Sequence, residues 1–97
     1  MTYEVFFRSC AEKDVNDAIK WYEDKVKGLG NRFLLSLDAT IQIISRNPQV
    51  FPKVYKKFQR ALLYRFPYSV FYFVDMKKII VIAVFHEKRN PAEWKNR

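Results

Sequence analysis

The first half of the chain changes from an alternating to a helical pattern of apolar positions. Apolar side chains alternate over residues 3–8, which predicts a short strand. From Ser9 the period becomes helical, and Ser9 with Glu12 has the spacing of a capping box. The apolar stripe of this predicted helix consists of Val15, Ala18, Ile19, Tyr22 and Val26. The polar residues expected on its opposite, exposed face are Asp14, Asp17, Lys20, Glu23, Asp24 and Lys27.

Two glycines divide this helix from a second one. Gly28 and Gly30 are expected to end the first helix, because glycine readily adopts the left-handed backbone found at helix C-termini. The spacing predicts a second helix over residues 31–46, which Asn47 and Pro48 end. Its stripe consists of Phe33, Leu34, Leu37, Ile41 and Ile44. The two helices are therefore expected to form a hairpin.

The second half of the chain has a period of two. After a connection over residues 49–55, Pro67 implies a tight turn and the polar residues 75–78 a hairpin loop. Residues 79–85 form a continuous apolar run, expected of a central strand buried on both faces. The predicted strands span residues 58–66, 68–74 and 79–85. At the tail, Asn90 as cap, Pro91 at the first helical position and Glu93 predict a short helix that carries Trp94.

The predicted order is β-α-α-β-β-β followed by a short C-terminal helix. Strands that follow helices in this way indicate an α+β fold, with the helical hairpin packed on one face of a mainly antiparallel sheet. At 97 residues, one domain spanning residues 1–97 is expected. The other face of the sheet is expected to be open, and its apolar side chains then call for a protein partner. The candidates on that face are Phe71, Phe73 and Phe85.

Composition excludes several classes of protein and site. Hydrophobic residues make up 49% of the chain and charged residues 29%, which is typical of a globular protein. One cysteine cannot form an internal disulfide, and with one histidine it gives no metal cluster, so neither a metal nor a cofactor is expected. The sequence shows no signal peptide and no run of about 18 apolar residues. A cytoplasmic protein without membrane contact is expected.

The positive charge lies in the second half alone. The net charge is +8, yet residues 1–50 carry seven basic and seven acidic side chains. Residues 51–97 carry eleven basic side chains against three acidic ones. Such asymmetry indicates an anionic partner for the second half, either a nucleic acid or an acidic protein, with solubility alone as the alternative explanation.

The succession of these segments resembles the RelE/ParE superfamily of toxins from type II toxin–antitoxin systems. Residues 18–22 with Gly28-Leu29-Gly30 and Phe33 resemble the family's helical hairpin, and Asn47-Pro48 with Phe51-Pro52 resembles the link that follows it. Arg60, Leu63 and residues 65–72 resemble the central strands. The residues His86, Arg89, Pro91 and Trp94 match an H-x-x-R-x-P-x-x-W ending.

The resemblance implies a toxin that is held inactive by a cognate antitoxin. Operator DNA would be bound only through the antitoxin. Two activities occur in the superfamily: the ParE branch poisons DNA gyrase and is not an enzyme, whereas the RelE branch cleaves messenger RNA on the ribosome. A third alternative is a non-toxic relic that binds the antitoxin and acts only in operator repression.

Several residues carry the expected chemistry of a metal-independent RNase. His86 suits the role of acid or base, Glu87 that of base, and Arg65 and Arg89 those of bidentate phosphate ligands. The resemblance, however, places basic residues of the RNase branch at three positions that are neutral here, namely Ala61, Leu63 and Ser69. The sequence therefore favours the ParE-like alternative.

Two surfaces are predicted for the partners. The target-binding set consists of Arg60, Arg65, His86, Arg89, Lys53, Lys56 and Lys57. The antitoxin-binding set consists of Trp21, Phe71, Phe73, Phe85 and Trp94. Trp21 and Tyr22 are adjacent on a helix and cannot both be buried, so Tyr22 is expected inside and Trp21 at the surface. Trp94 is alternatively expected to pack the last helix onto the sheet.

Overall fold

A five-stranded sheet and two long helices form the protein. The computed structural model describes residues 2–97. In chain order the elements are β1 (Glu4–Phe7), α1 (Ser9–Lys25), α2 (Leu29–Arg46), a 3₁₀ turn (Pro48–Val50), β2 (Lys53–Tyr55), β3 (Phe58–Leu62), β4 (Tyr68–Asp75), β5 (Lys78–His86) and α3 (Ala92–Lys95).

The sheet is mixed and mainly antiparallel, with the strand order β1-β5-β4-β3-β2. β4 and β5 form a long central hairpin, while β1 pairs with β5 in parallel. Parallel strands need a long connection, and the one from β1 to β5 contains the helical hairpin and strands β2, β3 and β4. The predicted α+β class is confirmed, and the element order agrees with the prediction except for the additional short strand β2. β5 lies between β1 and β4 and is buried on both faces, as predicted.

The helical hairpin covers one face of the sheet. Tyr22, Phe33, Phe66 and Tyr68 pack together with ring centroids 5.0–6.0 Å apart. The hairpin closes tightly at Gly30, where a Cβ atom would lie 2.7 Å from the carbonyl oxygen of Ile19. Aromatic side chains therefore pack the helices on the sheet. The two helices approach each other closely at a position that only glycine fits.

Several predicted boundaries are wrong. Ser9 is the first residue of α1 and forms no capping hydrogen bond. At the start of α2, the carboxylate of Glu23 accepts hydrogen bonds from the backbone N–H groups of Gly28 and Gly30. α2 begins at Leu29 and not at residue 31. The connection over residues 49–55 contains the 3₁₀ turn and the short strand β2. β3 ends at Leu62, four residues before the predicted end.

A buried polar group holds this connection against the sheet. The Gln59 Nε2 atom donates to the carbonyl oxygens of Pro48 and Phe51 at 2.6 and 2.9 Å. The Tyr72 hydroxyl donates to the same Pro48 oxygen at 2.7 Å, and burial raises the pKa of Tyr72 to about 12. These bonds give two backbone carbonyl groups of the connection hydrogen-bond donors.

The second face of the sheet is also covered, contrary to the prediction of an open face. Trp94 is only 2% exposed and stacks on Phe71 with a centroid distance of 4.4 Å. Phe71, Phe73 and Phe85 are buried beneath α3, the β2–β3 hairpin and nearby cations. The alternative in which Trp94 packs the last helix onto the sheet is therefore correct.

Candidate target-binding cleft

A cleft of about 250 Å³ lies at the end of the sheet where β5 enters the C-terminal tail. We call it the cationic cleft. β2, β3, β4, β5 and the tail all contribute to it, so it depends on four of the five strands. Its lining residues are Val54, Arg60, Ser69, Phe71, Phe85, His86, Glu87, Arg89, Pro91, Trp94 and Lys95.

Arg60 forms one wall of the cationic cleft. It lies on β3, exposed on the face opposite the helices, while its neighbour Ala61 is buried beneath them. Its Nε atom donates a hydrogen bond to the Ser69 hydroxyl at 2.9 Å. This bond fixes the planar guanidinium, whose two terminal nitrogens remain donors for an anion.

His86 ends β5 and has a fixed ring orientation. Its Nδ1 atom accepts a hydrogen bond from the backbone N–H of Lys88 at 3.0 Å. The ring also packs edge-on against Tyr68 with centroids 5.2 Å apart. The neutral imidazole therefore carries its proton on Nε2. The neighbouring Glu87 is exposed, and its backbone N–H donates to the carbonyl oxygen of Pro67 at 2.8 Å.

Arg89 reaches the cationic cleft from the tail and is held from two sides. Its Nη1 donates to Asp14 Oδ1 at 3.3 Å, and its Nε donates to Glu93 Oε2 at 3.2 Å. The guanidinium carbon lies 3.8 Å from the centroid of the Phe85 ring, within the range of a cation–π contact. Asp14 thus links α1 to the wall of the cleft.

Asp14 also binds Arg97. The Nη1 and Nη2 atoms of Arg97 donate to the two Asp14 oxygens at 2.5 and 3.2 Å. This side-chain hydrogen bonding raises the pKa of Arg97. The side chain of Asp14 is only 5% exposed, and its ion pairs with the two guanidinium groups compensate the loss of contact with water.

The short length of β1 explains the burial of Asp14. β1 pairs with β5 only as far as Val81, which leaves the edge of β5 beyond it without a strand neighbour. Asp14 Oδ2 accepts the backbone N–H of Val84 at 3.1 Å, and the Ile82 carbonyl oxygen accepts from Arg97 at 3.1 Å. Side chains from α1 and the tail therefore replace a missing strand.

The structure brings together only part of the predicted target-binding set. Arg60, His86 and Arg89 line the cationic cleft, and so does Glu87. Arg65 lies apart, in the β3–β4 turn on the helical side of the sheet. Of the predicted lysines, Lys57 packs on Phe73, with Nζ 4.2 Å from the ring centroid, and Lys56 lies over Tyr55 at 5.2 Å. Lys53 is exposed on β2.

The aromatic residues predicted to contact an antitoxin divide in the same way. Phe71, Phe85 and Trp94 lie at the back of the cationic cleft, whereas Phe73 lies outside it. Trp21 is 55% exposed and Tyr22 is buried, as predicted. Trp21 borders a second cleft, between α1 and the sheet, which shares His86 and Arg89 with the first.

Three residues in and beside the cleft are absent from the site residues predicted from the sequence. Asp14 was expected on the exposed face of α1, and this is wrong because the open edge of β5 lies above it. Lys95 and Arg97 lie in the tail, where the excess of basic residues was the one available signal.

Among residues 2–97, no group of three or more His, Cys, Asp or Glu side chains is placed to hold a metal ion. Within the same residues, no helix is both long and apolar enough to cross a membrane.

Comparison with known proteins identifies the family of the chain. The family model described as the ParE toxin of the type II toxin–antitoxin system parDE matches residues 5–91. No curated protein sequence matches the chain. A structure of a chromosomal ParDE toxin–antitoxin system from P. aeruginosa is similar in fold, with a TM-score of 0.66 at 15% identity over 88% of this chain and 96% of that one.

A second solved structure shows the same fold. The toxin–antitoxin complex RelBE2 from Mycobacterium tuberculosis aligns with a TM-score of 0.63 at 18% identity, over 89% of this chain and 99% of that one. At these identities the two structures show the fold alone, whereas the family model matches nearly the whole sequence. The chain belongs to the ParE toxin family of type II toxin–antitoxin systems.

Proposed function

We propose that the chain acts by binding DNA gyrase, trapping gyrase on cleaved DNA, and that a cognate antitoxin neutralises it. Membership of the ParE toxin family is the observation that carries this proposal. The similar structures come from a ParDE system and a RelBE2 complex, which supports an antitoxin partner. Operator DNA would be reached only through that antitoxin.

The cationic cleft is the proposed contact with the target. Arg60, Arg89 and Lys95 surround it, and Glu87 is its one acidic lining residue. Fixed guanidinium groups suit a phosphate or carboxylate of the target. His86 lines the same cleft and is proposed to contact the target as well. Arg65, Lys53, Lys56 and Lys57 remain predicted contacts outside the cleft.

The chemistry of the cleft supports a binding role more than an RNase role. Ala61 and Leu63 are buried beneath the helices, and the Ser69 hydroxyl is engaged by Arg60. The three positions at which the RNase branch is expected to carry basic side chains therefore supply no base. His86 already uses Nδ1 to accept from Lys88.

A gyrase supercoiling and cleavage assay tests the proposal. Purified toxin is expected to accumulate gyrase-cleaved plasmid, and added antitoxin is expected to relieve the effect. Arg60→Gln with Lys95→Gln should reduce cleavage about tenfold or more, since two cations leave the contact. Lys77→Gln, in the β4–β5 loop, removes a charge away from the cationic cleft and should leave the amount of cleaved plasmid unchanged. Absence of cleaved plasmid at micromolar toxin contradicts the gyrase target.

Ribosome-dependent cleavage of messenger RNA is the second candidate. It is favoured by the convergence of His86, Glu87, Arg60 and Arg89 on one cleft. In a translating extract this alternative predicts cleaved transcripts, which His86→Ala abolishes while the fold is kept. Harmless overexpression without antitoxin would instead indicate a relic that acts only in operator repression.

A further inference from the structure

A shallow pocket adjoins the cationic cleft along β3. It has a volume of about 320 Å³ and shares Val54 and Arg60 with the cleft. We call it the apolar pocket, because Arg60 is its one charged lining residue and the others are Phe51, Pro52, Val54 and Leu62. The surface therefore changes from cationic to apolar on the two sides of one arginine.

The shortness of β2 leaves the apolar pocket open. Leu62 follows Arg60 by two residues on β3, so both side chains lie on the face of the sheet opposite the helices. The pairing of β2 with β3 extends no further than Gln59, which leaves the end of β3 without a strand on that side. Leu62 is consequently 55% exposed, and Val54, at the irregular step of β2, is 44% exposed. The pocket thus offers aliphatic surface that the core does not use.

The wall of the apolar pocket is fixed before any partner binds. The backbone N–H of Arg60 donates to the Pro52 carbonyl oxygen at 3.0 Å, and Gln59 Nε2 donates to that of Phe51 at 2.9 Å. Both lining residues of the connection are thereby tied to β3. A preformed pocket binds with less loss of conformational entropy than a flexible one.

Two cations beside the apolar pocket have no acidic partner. Within residues 2–97, neither Arg60 nor Lys95 forms an ion pair. The Ser69 hydroxyl fixes the Nε atom of Arg60, and Lys95 Nζ lies 4.6 Å from the centroid of the Tyr55 ring. Both cationic groups are therefore held in place with donors available to an oxyanion.

The side chains of the two cavities favour a protein over a nucleic acid as the occupant. Proteins that bind single-stranded nucleic acids stack the bases on exposed aromatic rings. The rings at the back of the cationic cleft, those of Phe71, Phe85 and Trp94, are at most 7% exposed. In the described part of the chain, no exposed phenylalanine, tyrosine or tryptophan lines either cavity. Val54 and Leu62 present aliphatic groups, which suit the apolar side chains of a protein.

A second copy of this chain does not supply the complementary charge. In a twofold contact through this surface, Arg60 and Lys95 would face the same residues of the other copy. The net charge of +8 on each chain adds repulsion between copies. The occupant must therefore bring acidic groups of its own.

We infer that the cationic cleft and the apolar pocket together bind one protein segment of the target, in which an acidic side chain lies beside an aliphatic one. Arg60 and Lys95 bind the carboxylate, and Val54 and Leu62 pack on the aliphatic group. The inference rests on the proposed function for the identity of the target. It adds that this surface recognises the protein of the target rather than its DNA.

Binding of defined fluorescent probes tests the recognised chemistry without gyrase. One probe is a short peptide of glutamate, leucine and serine, the second has serine in place of each leucine, and the third is an oligothymidine of the same net charge. At physiological salt we expect the leucine-containing peptide to bind about tenfold more tightly than either of the others. Equal affinities of the two peptides overturn the inference, and so does tighter binding of the oligothymidine.

Substitutions in the chain assign this preference to the surface. Leu62→Gln should abolish the preference for leucine, while Leu35→Gln, at an exposed leucine of α2, should keep it. Arg60→Gln should weaken the binding of both peptides about tenfold, while Arg46→Gln removes the same charge at the exposed end of α2 and should leave both affinities unchanged. Circular dichroism shows whether each variant is folded. A preference for leucine that survives Leu62→Gln contradicts the pocket.

Photo-crosslinking in the gyrase cleavage reaction tests the same surface on the proposed target. The photo-reactive p-benzoylphenylalanine replaces Leu62, and in a control protein it replaces the exposed Met76 of the β4–β5 loop. We expect position 62, but not position 76, to crosslink to a gyrase peptide with neighbouring acidic and aliphatic residues. A crosslink from position 62 to the DNA overturns the inference, as does gyrase poisoning without any crosslink there. Absence of gyrase poisoning together with the preference for the leucine-containing peptide rejects the gyrase target alone.

Discussion

At the scale of single residues, two aspartates on one helix show how little the local sequence reveals. Asp14 and Asp17 lie in the same polar stretch of α1, and both were expected at the surface. Asp17 forms an exposed pair with Lys13 at 2.9 Å, whereas Asp14 is buried against Val84 and Arg97. The difference arises because β1 ends before it reaches Val84, which lies 70 residues after Asp14 in the chain, so no local pattern predicts it.

Asp14→Asn should lower the free energy of unfolding by about 2–3 kcal/mol. The amide still accepts the Val84 N–H, but the negative charge that Arg89 and Arg97 share is lost. The loss stays below that of a fully buried pair because Arg89 is 39% exposed and retains contact with water. Urea unfolding measures the change.

Asp17→Asn is the matched control for this substitution. Its pair with Lys13 is exposed on both sides, so the same substitution should change stability by less than about 1 kcal/mol. Equal losses in the two variants would show that the network around Asp14 does not stabilise the fold.

At the scale of elements, hydrophobic periodicity predicted both helices and four of the five strands. It succeeded because each element buries one face, or both faces in the case of β4 and β5, within its own length. β2 was missed because it has three residues, follows Pro52 and exposes two of its side chains. Its place depends on hydrogen bonds from Gln59 to the connection before it, which no periodicity shows.

The short helix α3 matters through one side chain. Trp94→Ala should destabilise the protein by about 3–5 kcal/mol, because it removes the indole that stacks on Phe71 and opens a cavity above the sheet. Trp21→Ala, on the exposed side of α1, should cost about 1 kcal/mol or less. Urea unfolding followed by circular dichroism compares the two, and similar losses would contradict the assigned role of Trp94.

At the scale of the whole molecule, the sequence predicted a sheet with one open face and the structure closes that face. The closing segment is the tail, which returns across β4 and β5 and is fixed by Arg97 to Asp14 in α1. Such a contact joins the two ends of the chain, so it follows from the complete topology rather than from any window of sequence. The exposed large apolar side chains are spread over several elements, among them Trp21 on α1, Ile43 on α2 and Tyr64 in the β3–β4 turn.

The division of charge between the two halves also belongs to this scale. The neutral half contributes β1 and both long helices, and the basic half contributes the other four strands and the tail. We therefore expect the association rate with an anionic target to fall steeply as NaCl rises from about 0.05 to 0.5 M, because the Debye length shortens from over 10 Å to a few Å. Replacing Lys53, Lys56 and Lys57 with glutamine should flatten this dependence. The same change at Lys13, Lys20 and Lys27 of the neutral half removes equal charge and should have a smaller effect. Stopped-flow association with gyrase measures all three proteins, and equal salt slopes for the two triple variants would show that net charge alone, rather than its placement, guides the encounter.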